Sequence, residues 1–386
     1  MRIVHLARDE KFIPLVRELF EQALPGANHW VVARRRRAKL RFVAPAANVV
    51  FRSEAWFRMP WIGRDVARAD VILAHSMTSI FVNAIAHAPA HARVAWKGWG
   101  YDYYPLLARV LGDPLLPATR ALVGHAGGTG DDADAAAAGS AGPLAAGPAW
   151  WQRLRMKTPA LERVAARLHT ISVLPTEVEP LRRVLPALRA VQHLMPLFTT
   201  EDTFHTGPDT MHGPDILLGN SATASNNHAD ALALLHGRLG EGRLVVPLSY
   251  GDAGYGAKVA ALGREQFGER FDALRQWMSL TDYNQRIQRC GFVVMNHRRQ
   301  QAVGNIGAAL YKGATVYLRP ENPLFAFYTG LGVALRSTQD LADSGEPLRP
   351  LSAAERQNNR SVIGRFYARE RVLEAMRSLP ALHPPG

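Results

Sequence analysis

Short apolar runs that end in small or polar residues recur along this 386-residue chain, each followed by a stretch with apolar residues three and four apart. IVHLA leads into KFIPLVRELFEQAL, ADVILAHSM into SIFVNAIAHA, GRLVVPLSYG into YGAKVAALGREQFG, and GFVVMN into QAVGNIGAALYKG. A run that is apolar throughout, rather than alternating, suits a strand covered on both faces, and the spacing after it is that of a helix. Strands alternating with helices predict parallel sheets clad with helices. WVVA, NVVF, ARVAWKGWG and HTISVLP add strands to the first half, and DILLGNS and ATVYLRP add them to the second. FDALRQWMSLTDYNQRIQRC reads as one helix.

The chain is too long for one ordinary core and suits two domains of roughly 150 to 200 residues. HLMPLFTTEDTFHTGPDTMHGP lacks periodicity and reads as the linker, giving domains 1–200 and 213–350. The helical stretch 351–386 is expected to pack back on the first domain. Residues 123–149, built from Gly, Ala, Asp and Pro, predict a disordered surface insertion, because they cannot bury enough apolar surface to order themselves. The single cysteine, Cys290, excludes an internal disulfide and a multi-thiolate metal site. No apolar run reaches the roughly 18 residues of a spanning helix. The first residues lack the layout of a secretory leader, which predicts a cytoplasmic chain.

The formal charge of +13 asks for a partner: nucleic acid, an anionic membrane surface or an acidic small molecule. Arginine far exceeds lysine, and a GC-rich genome accounts for part of that excess. The cations are nevertheless clustered. Arg34, Arg35, Arg36, Arg37, Lys39 and Arg41 form one run, and Arg153, Arg155, Lys157 and Arg163 form another beside Trp150 and Trp151. Such segments suit either an anionic lipid surface or a solvated helix face, and the sequence leaves both open.

Candidate chemistry gathers where strands end. Gly219, Asn220 and Ser221 begin a small, hydroxyl-rich turn before a helix, which fits close approach to a phosphate or an ordinary capped turn. His297, Arg298, Gln300, Gln301, Gly304 and Asn305 follow the strand GFVVMN. There an arginine can hold a diphosphate, glutamines can bond a sugar or base, and a helix N-terminus adds its dipole. Tyr250 and Lys258 follow another strand end, as a stacking ring and a phosphate ligand. Glu321 follows ATVYLRP, where ribose or sugar hydroxyls can be held. In the first half, Asp102 sits in WKGWGYDYY, either as a base within an aromatic cage or as a helix cap. His75, at the end of VILAH, is the other base candidate.

Taken together, WKGWGYDYY, LLGNSATASNNHADAL, VPLSYGDAGYGAKV and NHRRQQAVGNIGAAL followed by NPLF resemble one family over roughly residues 70–330. It is that of the TDP-N-acetylfucosamine:lipid II N-acetylfucosaminyltransferases of enterobacterial common antigen synthesis. The resemblance implies an α/β GT-B fold, two Rossmann-like domains facing across a cleft. It implies a dTDP-sugar donor on the second domain and no metal ion. It also implies an undecaprenyl-diphosphate-linked glycan acceptor at the cytoplasmic face of the bacterial inner membrane, with the enzyme held peripherally. The insertion at 123–149 departs from the family pattern. Rival readings are a GT-B enzyme using UDP- or GDP-sugars for capsule or O-antigen assembly, a GT-B-shaped epimerase, and a basic nucleic-acid-binding protein. The last lacks a reader motif, and the aromatic residues gather with glycine and aspartate instead.

Overall fold

The computed structural model describes residues 1–34, 39–124, 158–205 and 210–382. Arg35–Arg37, nearly all of the 123–149 insertion and the Trp150–Lys157 cluster lie outside the described residues. The chain forms two compact units. The first draws on Met1–Gly112, Ala138–Leu197 and Glu370–Gly386, and the second on Asp113–Ala137 and Phe198–Arg369, so far as these are described.

The first unit holds seven parallel strands: β1 (Ile3–Arg8), β2 (Asn28–Arg34), β3 (Val49–Ser53), β4 (Val71–His75), β5 (Arg93–Lys97), β6 (Leu168–Ser172) and β7 (Val191–Gln192). Their order is β3-β2-β1-β4-β5-β6-β7, so the winding reverses between β1 and β4. Residues Ile3–Ala7 and Val71–His75 are all buried, the continuous burial that parallel strands under two helical layers require. The helix Ile13–Ala23 turns Ile13, Val16, Leu19, Phe20 and Ala23 inward, the stripe its spacing foretold.

The second unit holds six parallel strands: β8 (Ile216–Leu218), β9 (Leu244–Pro247), β10 (Phe271–Leu274), β11 (Phe292–Met295), β12 (Thr315–Leu318) and β13 (Arg336–Ser337). The order β10-β9-β8-β11-β12-β13 reverses between β8 and β11. In both sheets the loops after the reversing strands spread apart at the carboxyl edge, which is where open α/β sheets bind ligands.

Four segments differ from their sequence reading. Phe271–Leu274 is a strand rather than the start of a helix, and only Leu280–Ile287 is helical. Phe271 and Leu274 are buried, and the run pairs with β9, so tertiary pairing overrides local helical spacing. Leu115 and the helix Pro117–Val123 belong to the second unit, not to a domain of residues 1–200. The Asp230 carboxylate caps that helix by accepting from the N–H groups of Ala118 (3.0 Å) and Thr119 (2.8 Å). At the other end, helix Ala353–Phe366 packs on helix Val303–Tyr311 within the second unit, and only from Glu370 does the chain join the first. The linker is also partly folded: Phe204 is fully buried against Tyr311 and Tyr367.

Gly263 shows how tightly β10 is seated. A Cβ there would come within 2.1 Å of the Phe271 ring. Gly263→Ala is expected to destabilise the protein by about 1–3 kcal/mol through overpacking. Gly330→Ala, with nothing within 4 Å, should be nearly neutral. Thermal denaturation of the two variants checks the contrast.

Candidate active site

In the second unit, the loops after β8 and β11 are sewn into one polar network. Asn226 is its hub. Its Nδ2 donates to the carbonyls of Ser221 and Thr223 (both 3.1 Å), which fixes Oδ1 as the acceptor. That oxygen takes the Asn220 N–H (3.0 Å) and His297 Nε2 (2.8 Å), so Nε2 carries the proton. Burial, with Arg299 and His228 nearby, pushes His297 down to about 3, so it is a neutral strut rather than a phosphate ligand. Gly219 is left-handed (φ 68°), and a Cβ would sit 2.7 Å from Asn226 Oδ1, so this corner needs glycine. Ser221 Oγ pairs with Thr223 Oγ1 at 2.9 Å.

Around that hub lie the groups able to face a ligand. Asn220 Nδ2 donates to the Tyr250 hydroxyl (3.1 Å), and Gln301 Nε2 donates to Asn220 Oδ1 (3.0 Å). Ser225 Oγ donates to Gln301 Oε1 (2.8 Å) and accepts from Arg299 Nη2 (3.2 Å). Tyr250 as a residue remains 39% exposed. Beyond Gln301, Ala302 adopts a left-handed φ of 58° and starts helix Val303–Tyr311 with no side-chain cap. Its first N–H groups therefore point, unblocked by a cap, from the carboxyl edge of the sheet at the switch point. Arg298 and the half-buried Gln300 precede it; Arg298 Nη1 donates to the Asp113 carbonyl at 2.7 Å.

Other sequence candidates have structural duties. Gly304 lets Phe198 pack against the helix, since a Cβ would meet that ring at 2.8 Å. Lys258 Nζ donates to the Leu122 carbonyl (3.0 Å) at the end of helix Pro117–Val123, not toward the network. Glu321 pairs with Arg319 (2.8 Å), and the exposed Asn305 bonds Tyr283.

In the first unit, Asp102 is a junction. One carboxylate oxygen accepts from Met77 N–H and Trp96 Nε1 (both 2.8 Å), and the other from Trp99 N–H (2.9 Å). It ties the loop after β4 to β5 and to the WKGWG turn. Burial raises its pKa against those three donors, which fill three of its about four acceptor positions, so the carboxylate serves as a junction and keeps little room for a further partner. His75 is likewise internal. Asn28 Nδ2 donates to the Phe20 and Leu24 carbonyls, so its Oδ1 accepts from His5 Nε2 (3.0 Å). His5 Nδ1 then accepts from His75 Nε2 at 3.1 Å. Burial drives His75 well below its ordinary range, the wrong direction for a base working near neutrality.

The residues that sequence reading passed over are Glu10, Tyr101 and Lys97. Glu10 follows β1, is 7% exposed and, among the described residues, accepts only the Tyr101 hydroxyl, at 3.0 and 3.2 Å to its two oxygens. Burial pushes it up to about 7, against the Tyr101 hydrogen bond and the Arg8 charge. Arg8 itself is paired to Glu54 at 2.7 Å. Lys97, lowered to about 8 by burial, donates to the Met195 carbonyl and lies 5.6 Å from the Trp99 ring. In sequence, Glu10 is one acid in the plain turn ARDEKF, with no signal to set it apart. Among the described residues, no group of three or more His, Cys, Asp or Glu side chains comes together as a metal site.

Two parallel-sheet Rossmann-like units with their polar networks at the switch points are those of a GT-B glycosyltransferase, and this chain is one. Residues 193–340 match the family described as 4-alpha-L-fucosyltransferase, glycosyl transferase group 56, a span that contains the whole second-unit network. Among solved structures, the chain is similar to sucrose-phosphate synthase from Thermosynechococcus elongatus (12% identity, TM-score 0.63, 98% of each chain). It is also similar to Anabaena HepE in complex with UDP-glucose (11%, TM-score 0.60, 99% of this chain and 100% of that one). A third is the UDP-forming α,α-trehalose-phosphate synthase from Burkholderia xenovorans in complex with glucose-6-phosphate (10%, TM-score 0.57, 98% of each). At such identities the likeness is one of fold.

The two first-unit carboxylates predict opposite behaviour. Glu10 binds a proton more tightly folded than unfolded, so the protein loses stability as pH rises from 4.5 to about 7, by up to about 3 kcal/mol. Glu10→Gln should therefore melt higher than wild type at pH 8 and show little difference at pH 5. Asp102→Ala strands three donors and should cost about 3 kcal/mol or more at both pH values.

Proposed function

We propose that this glycosyltransferase moves a deoxyamino sugar of the N-acetylfucosamine type from a dTDP donor onto an undecaprenyl-diphosphate-linked glycan, working peripherally at the cytoplasmic face of the inner membrane. The observation that carries the reading is the coincidence of the fucosyltransferase-family match, residues 193–340, with the second unit's switch-point network. Fucose and N-acetylfucosamine share the 6-deoxyhexose frame. The uncapped helix Val303–Tyr311 and Arg298 suit the donor's diphosphate, whose charge they offset without a metal ion. Tyr250 suits the base by stacking, and Asn220, Gln300 and Gln301 suit the sugar or ribose hydroxyls. The formal charge of +13 favours an anionic membrane surface carrying the lipid-linked acceptor, with no nucleic-acid partner.

A UDP-sugar donor is the second reading, favoured by the fold likeness to Anabaena HepE in complex with UDP-glucose. Melting temperatures with dTDP, UDP and GDP separate the two, because a ligand bound only by the folded state raises apparent stability with its occupancy. The dTDP reading expects the largest rise with dTDP, lost in Arg298→Ala. A rise with UDP alone would reject dTDP and keep the transferase, and no rise at millimolar nucleotide would reject the donor site.

A further inference from the structure

Among the acids that follow strands at the carboxyl edge of the first sheet, Glu54 pairs with Arg8 and Glu177 takes the Tyr103 and Tyr104 hydroxyls, and the other three differ sharply in their partners. Asp9 accepts from the backbone N–H groups of Arg41 (2.7 Å), Phe42 (3.0 Å) and Val43 (2.8 Å), anchoring that loop. Asp102 accepts the three donors described above. An ionised carboxylate offers about four acceptor positions, so both are nearly filled. Glu10 has a single phenolic hydrogen shared between its oxygens and, among the described residues, no ion pair. It follows β1, the strand at which the winding reverses, and so lies where this sheet is expected to receive a ligand. Two residues on, Phe12 stacks with Trp99 (5.9 Å between centroids, 7° between planes), aromatic surface of the kind on which apolar sugar faces rest.

We propose that Glu10 is the general base that takes the proton from the acceptor hydroxyl, and that Tyr101 is its positioning residue. This rests on the transferase reading above and adds the reaction course. The acceptor oxygen attacks the anomeric carbon of the donor sugar. The bond from that carbon to the phosphate oxygen breaks, and its electron pair leaves with the nucleoside diphosphate. The hydroxyl proton passes to Glu10 and from there to solvent. A single displacement of this kind inverts the anomeric configuration. Burial that raises the carboxyl toward neutrality matches its basicity to the task.

The test reads nucleoside diphosphate released from dTDP-, UDP- and GDP-linked sugars, with and without an undecaprenyl-diphosphate-linked glycan in detergent. Glu10→Gln should lower kcat by about 10²–10⁴-fold while its melting-temperature rise with nucleotide equals that of wild type. Tyr101→Phe should keep turnover but move the acid limb of the kcat/KM profile to higher pH, because the carboxylate loses a donor that favours its charged form. A structural role for Tyr101 would leave that limb in place. Should Glu10→Gln lose its nucleotide response, the Tyr101→Phe profile decides alone. Near-wild-type turnover in Glu10→Gln, an unmoved limb, or a product of retained configuration overturns the proposal while leaving the transferase standing. Wild-type protein that releases no nucleotide from any of the three donors overturns the transferase reading, and this proposal with it.

Discussion

Burying parallel strands on both faces leaves polar chemistry one place to go, the carboxyl edge, and there the loops must satisfy one another. The Asp102 carboxylate does this for the first sheet, gathering N–H donors from the β4 loop, from β5 and from the WKGWG turn. Asn226 does it for the second, with both ends of its amide engaged. Each hub is buried, so an unmade bond there would carry the full cost of desolvation. Loop positions that look free in a sequence are thereby tied to one another, and fixed geometry of that kind is what positioning a substrate demands.

The same economy sorts the titratable groups. Buried histidines are kept neutral: His5, His228 and His297 each fall to about 3 through burial, and the ring protons of His5 and His297 are assigned by the amide oxygens of Asn28 and Asn226. The carboxylates divide by occupancy rather than by depth. Asp102 and Glu10 are 6% and 7% exposed, so burial alone does not distinguish them. Glu177 is raised to about 7 by burial, yet Tyr103 and Tyr104 both donate to it and it caps its own helix, leaving it structural. Donor count, not pKa, separates the acid with work left to do.

Much of the fold was legible in the sequence because burial on two faces writes itself as unbroken apolar runs. IVHLA, VILAH and FVVM were readable for that reason. FDAL was not, since four residues hold too little periodicity and its pairing with β9 is a long-range event. Of the site, the second-unit loops stood out through unusual composition, small residues and paired glutamines beside arginine. Which members face a ligand did not: Gly304 serves Phe198, Lys258 serves a helix end, and His297 serves Asn226.

The sequence by itself determined the alternation of strand and helix, the two Rossmann-like halves, the absence of a thiolate site and the loops in which the chemistry gathers. These are properties of composition and period, which are local. Only the tertiary structure decided the allegiance of residues 113–123 and of helix Ala353–Phe366 to the second unit, because packing partners distant in sequence set both. It also decided how many donors reach each acid. Asp102 in an aromatic motif gathers three donors and Glu10 in a plain turn takes one hydroxyl, because those donors come from strands and loops brought together by folding.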